Sequence, residues 1–130
     1  MNIMENISLY VCAYNDEKEI EEVINGILNL DPKPNEIIIV NDGSTDDTLK
    51  ILNKYKNNIT ILNLAKNMGL PHARNIAIKN SKNDIVAALD SDVIPEKSWL
   101  LKIYNSMIKY NSQLCAGQLI ETNLKNNRYN

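Results

Sequence analysis

The strongest constraint on this chain is the run Glu36-Ile37-Ile38-Ile39-Val40, in which four consecutive residues are apolar. A strand with one face in water alternates apolar and polar side chains; one that is apolar at every position needs cover on both faces. Ile7-Ser8-Leu9-Tyr10-Val11-Cys12-Ala13 reads as another buried strand, and residues 59–64 and 84–89 as a third and fourth. Helical periodicity fills the gaps between them. Ile20, Val23, Ile24, Ile27 and Leu28 recur at steps of three and four, which predicts a helix over 16–30, ended by Asp31-Pro32-Lys33-Pro34. A helix after Thr45 carries Leu49, Leu52 and Tyr55. Pro71 opens another through about residue 80, with Ile76 and Ala77 inward, since proline suits the first helical turn. From about Pro95 a last helix carries Leu100, Ile103, Met107 and Ile108, and residues 114–120 read as a fifth strand. Strand–helix alternation predicts an α/β fold: a Rossmann-like, mostly parallel sheet with helices on both faces and right-handed crossovers. A chain of 130 residues has room for one such domain, expected over 1–121, followed by a polar tail over 122–130.

Charge narrows the possible partners. Fourteen basic residues against sixteen acidic ones leave a net charge of −2, with no polybasic block. No nucleic-acid backbone or anionic lipid surface is expected as a ligand. The N-terminus has no basic and apolar leader, and no stretch has the roughly twenty apolar residues of a membrane span. Cys12 and Cys115 lack metal-ligand or redox spacing and read as small buried hydrophobes. These features lead to the expectation of a cytoplasmic domain, with membrane association only through regions outside this chain.

Parallel α/β sheets bind ligands beyond the carboxyl ends of their strands. In this sequence that edge collects Tyr14, Asn15 and Asp16 after the first strand, Asn41, Asp42, Gly43 and Ser44 after the second, Lys66, Asn67 and Gly69 after the third, and Asp90, Ser91 and Asp92 after the fourth. In an extended segment Asp90 and Asp92 would point the same way and could converge on a divalent cation such as Mg²⁺ or Mn²⁺, which bridges phosphate oxygens. The plain alternative is a turn before the Pro95 helix. In Asp42-Gly43-Ser44-Thr45-Asp46-Asp47-Thr48, Gly43 makes the turn, Ser44 or Thr45 caps the helix, and the following acids favour its positive end. Asp42 is left over, at a depth where acids hold ribose hydroxyls in other nucleotide-binding sheets. The start of the Pro71 helix could offer backbone N–H groups to phosphate, and Arg74 could pair with one, or simply be solvated. His72 is expected to be exposed, and Trp99 and Tyr104 to be packing residues. No Ser-His-Asp set, Cys-His pair or metal-binding His motif is present.

Four pieces together resemble the family 2 glycosyltransferases of the GT-A fold. They are Ala13-Tyr14-Asn15-Asp16-Glu17, the stretch from Glu36 through Asn41-Asp42-Gly43-Ser44 to Thr48, Asn67-Met68-Gly69 with Ala73-Arg74-Asn75, and Leu89-Asp90-Ser91-Asp92. They stand in the family's order and cover most of residues 7–100. The resemblance implies inverting transfer of a sugar from a nucleotide-diphosphate sugar, most often UDP-linked, to an acceptor hydroxyl, with a divalent metal. Carried over, Ala13, Tyr14, Asp42, Arg74 and Asp90 would bind the nucleotide, and Asp92 with Asp90 would hold the metal. Asn41 stands where many members have a second Asp. The family's general base lies well beyond the metal motif and is expected beyond Asn130, so this chain reads as the donor half of a truncated GT-A domain that could self-associate as a homo-oligomer. Two other classes compete. A haloacid-dehalogenase-like phosphotransferase would use Asp90-Ser91-Asp92 as nucleophile and acid, and a non-catalytic module would bind nucleotide alone.

Overall fold

The computed structural model describes residues 6–117. Its elements run β1 (Ile7–Ala13), α1 (Ile20–Leu28), β2 (Glu36–Asn41), α2 (Thr48–Asn53), β3 (Thr60–Asn63), α3 (Leu70–Asn80), β4 (Ile85–Asp90) and α4 (Trp99–Tyr110). The four strands form one parallel sheet in the order β3-β2-β1-β4. The predicted α/β architecture is therefore present. No fifth strand occurs among the described residues: 114–117 are irregular, and 118–120 lie outside the described residues, as does the expected 121/122 boundary.

Side-chain alternation divides the core in two. Leu9, Val11 and Ala13 of β1 and Ile37 and Ile39 of β2 face one layer, filled by Ile20, Val23, Ile24 and Ile27 of α1, Leu52 of α2, and Leu100 and Tyr104 of α4. Tyr10 of β1 and Ile38 and Val40 of β2 face the other, where Ala73 and Ala77 of α3 pack. The unbroken apolar run of β2 is thus covered on both sides, for the reason its composition requires. Small residues on α3 let that helix lie close against the sheet. At β4 only the first layer is complete; Ala87 and Leu89 are buried while Ala88 is exposed.

Helix limits shift where loops claim residues. Asp16–Glu19 forms a turn in which the Asp16 carbonyl accepts the Glu19 and Ile20 amides, so α1 begins at Ile20 rather than near residue 16. Helix α4 likewise starts at Trp99 instead of Pro95. Trp99 and Tyr104 pack on the core as expected. The amino end of the sheet is closed by a polar knot. The nearly buried Glu36 carboxylate accepts the Ser8 hydroxyl at 2.8 Å and the Lys82 amide at 2.9 Å. Among the described residues no helix is long and apolar enough to cross a membrane.

Candidate nucleotide-binding edge

The strand register sets the layout of the carboxyl edge. Ala13 of β1 lies beside Asn41 of β2, and Cys12 lies beside Asp90 of β4. Asp42 and Asp90 therefore flank the end of β1 from opposite sides. Two strand spacings put their backbones about 10 Å apart.

Asp42 is 3% exposed. One carboxylate oxygen accepts the Met68 amide at 2.8 Å and the other the Gly69 amide at 3.0 Å. Its own amide donates to the Ala13 carbonyl at 2.8 Å. Gly43 follows with φ of 68°, and a β-carbon there would lie 2.2 Å from the Lys66 carbonyl carbon. Only glycine permits both this backbone and this approach. The loop between β3 and α3 is thus clasped onto the end of β2. This narrows the expectation for the start of α3: the Met68 and Gly69 amides are already taken and Pro71 has none, so a phosphate there would have to use other amides of the first turn. Asp42 keeps one further lone pair on each oxygen, and the buried Ala13 keeps one on its carbonyl.

The loop after β2 also differs from its expected capping. Ser44 donates to the Asn41 side chain, and the Thr45 amide donates to Asn15 Oδ1, so neither caps α2. Asp46 does that work by accepting the Thr48 amide at 2.9 Å and the Thr48 hydroxyl. Burial raises the Asp46 pKa, but bonds from the Thr48 hydroxyl and amide and the Glu17 amide outweigh it and lower the pKa overall. Asn41 uses both ends of its amide, since Nδ2 donates to Asn63 Oδ1 at 2.7 Å. An aspartate there would accept only, so the departure at position 41 suits its partner Asn63.

At the other flank the groups are open. Strand β4 stops at Asp90, and Ser91-Asp92 forms a turn in which the Val93 amide donates to the Asp90 carbonyl at 3.2 Å. The strand pleat therefore does not direct Asp92, contrary to the expectation of an extended Asp-x-Asp. Both carboxylates are exposed. Arg74 of α3 reaches Asp90 at 3.5 Å, with both side chains about half exposed, so part of the acidic charge at this strand end is already balanced. Tyr14 is 46% exposed, its ring free and its amide held by Asp16 Oδ2 at 2.9 Å. His72 is exposed, as expected.

Beneath them, Cys12 and Tyr10 line the layer under α3. Burial pushes the Cys12 thiol up to about 11, with Arg74 opposing and Asp42 and Asp90 adding to the rise. Burial also raises the Tyr10 pKa. Cys12 is therefore a neutral packing group. Both cysteines are free and only partly buried, less deeply than their apolar context suggested.

No group of three or more His, Cys, Asp or Glu side chains among the described residues could hold a metal by itself. The available donors are two exposed carboxylates. That set fits a hard divalent ion that takes one or two protein oxygens and completes its shell with phosphate and water.

The glycosyl transferase family 2 model matches residues 8–130. The chain belongs to glycosyl transferase family 2. Its relatives include a poly-β-1,6-N-acetyl-D-glucosamine synthase of Staphylococcus aureus, 35% identical over 72% of this chain and 23% of the relative. Among solved structures, S. aureus TarS 1-349 in complex with UDP-GlcNAc superposes with a TM-score of 0.74 at 30% identity, over 90% of this chain and 37% of that one. The mannosyltransferase PcManGT of Pyrobaculum calidifontis, in complex with GDP-Man and Mn²⁺, gives 0.65 at 26% identity, over 71% of this chain and 29% of that one. This family 2 chain thus spans well under half the length of the relatives it matches. Its fold is of the GT-A type, and each of its four sequence motifs reaches the carboxyl edge of the sheet. Family membership also displaces the phosphotransferase reading of Asp90-Ser91-Asp92. The sequence places Asn15 at this edge without giving it a role; its backbone turn and side chain tie two of the loops together.

Proposed function

We propose that this chain carries the donor side of an inverting transfer of sugar from a UDP-linked nucleotide sugar to a glycan hydroxyl. The observation that carries this reading is the gathering of Tyr14, Asp42, Arg74, Asp90 and Asp92 at one sheet edge in a family 2 chain. The UDP-GlcNAc complex of TarS supports the choice of donor, and the polymer-forming synthase supports a glycan acceptor.

Each residue has a role that its surroundings allow. The exposed Tyr14 ring offers a face for the base. Ala13 and Asp42 offer their remaining lone pairs to the nucleoside. Asp90 stands at the ribose or the sugar. Arg74, half exposed, turns from Asp90 to a phosphate. Asp92, with Asp90, would hold a divalent ion; the Mn²⁺ of the mannosyltransferase complex favours one. Such an ion would neutralise charge on the departing diphosphate. We assign the general base to none of the described residues; it would deprotonate the acceptor hydroxyl as that oxygen attacks the anomeric carbon. The donor-binding unit is taken to run over 1–121.

Calorimetry with UDP and Mn²⁺ tests the reading. Binding is expected, weakened by chelation of the metal and by Asp92→Ala. Absence of binding, or binding indifferent to Asp92→Ala, would refute the assignment.

A further inference from the structure

We infer that Asn15 is a positioning residue for the donor nucleotide, acting through Tyr14. Asn15 has a left-handed backbone, with φ of 53°. Asparagine tolerates that region better than most residues, and the turn redirects the chain immediately after Tyr14. Asn15 Oδ1 accepts the Thr45 amide at 2.7 Å and lies 3.3 Å from the Thr45 hydroxyl oxygen. In return the Asn15 amide donates to Ser44 Oγ at 3.0 Å. The Ser44 hydroxyl passes the chain to Asn41 Oδ1, and Asn41 Nδ2 donates to Asn63 Oδ1. The Asn15 amide thus joins a polar relay across the carboxyl ends of β1, β2 and β3, and the Asn15 side chain fastens the same loop through Thr45.

The relay has an outer counterpart. The Glu17 amide donates to Asp46 Oδ2 at 3.2 Å, and the Asp47 amide donates to Glu17 Oε2 at 2.9 Å. Both rungs join the same two loops, but only the inner one adjoins Tyr14. With Asn15 locked on one side and its own amide held by Asp16, Tyr14 has a fixed backbone and a free ring. A ring aimed in advance spares the ordering cost that a mobile loop pays on binding.

This inference rests on the proposed nucleotide-binding edge, and three variants separate the two. Calorimetry with UDP and Mn²⁺ is run on the wild-type chain and on Asn15→Gly, Asn15→Asp and Glu17→Ala, below the thermal midpoint of each. Asn15→Gly keeps the positive φ and removes the acceptor; UDP should bind about tenfold more weakly, the equivalent of one well-placed hydrogen bond. Asn15→Asp keeps the acceptor and tolerates the backbone, so affinity should return to within about twofold of the wild type. Glu17→Ala removes the side-chain acceptor of the outer rung, as Asn15→Gly does for the inner one, and should leave UDP affinity unchanged. Wild-type-like binding by Asn15→Gly, failure of Asn15→Asp to restore affinity, or an equal loss in Glu17→Ala would overturn the role of Asn15 alone. A wild-type chain that binds no UDP would overturn the proposed function and this inference with it.

Discussion

Asp42 and Asp92 are the same residue type at the same edge of one sheet, yet their surroundings give them opposite duties. Asp42 is 3% exposed, with each oxygen bonded to a backbone amide of the neighbouring loop. Asp92 sits exposed in a turn beyond β4. A carboxylate removed from water is stable only when its oxygens are satisfied, so Asp42 holds the loop that carries Met68 and Gly69. A carboxylate left in water is available to an incoming cation. The difference teaches that acidity at a strand end does not by itself fix a role; burial and prior engagement separate an acid that also holds a neighbouring loop from one left open to solvent.

The sharpest way to break the contrast is at Gly43. Gly43→Ala adds a β-carbon 2.2 Å from the Lys66 backbone at a φ of 68°. It should cost about 3 kcal/mol or more, read as a lowered denaturant midpoint. Asp42→Ala comes next. It leaves the Met68 and Gly69 amides without their acceptor and should cost about 1–3 kcal/mol, with faster amide exchange at both. Asp92→Ala should change stability by less than about 0.5 kcal/mol in the same denaturation experiment while abolishing the metal dependence of UDP binding. Equal destabilisation by Asp42→Ala and Asp92→Ala would erase the distinction between the two acids. The smallest effect is expected at Asp46, whose pKa is lowered from its ordinary value of 3.8. A lowered folded-state pKa stabilises the fold above the unfolded value, and that contribution fades as pH falls through the folded one. The stability gap between wild type and Asp46→Asn should therefore be constant above about pH 5 and narrow below about pH 4 in urea titrations.

The parallel sheet was legible in sequence because its cause is local and repetitive. The apolar run of β2 demanded two covered faces, and the helical spacing of Ile20, Val23, Ile24 and Ile27 supplied one cover. The starts of α1 and α2 were not legible, because the Asp16 carbonyl closes a turn onto the Glu19 and Ile20 amides and Asp46 caps Thr48, while Asn15, Asp16 and Glu17 tie the two loops together from about 30 positions apart. The irregular path of residues 114–117 escaped for a related reason: a short apolar stretch has no preference strong enough to fix its state alone.

The sequence by itself determined the α/β layering, the edge proposed for binding and the family resemblance, since each follows from residue periodicity or from motifs in a fixed order. Tertiary structure alone decided the division of labour at that edge. Which amides Asp42 accepts, which face Arg74 shares with Asp90, and how Asn15 clasps the next loop depend on contacts between residues about 16 to 30 positions apart. Such contacts form only once the sheet has set its register, which is why no local pattern announces them.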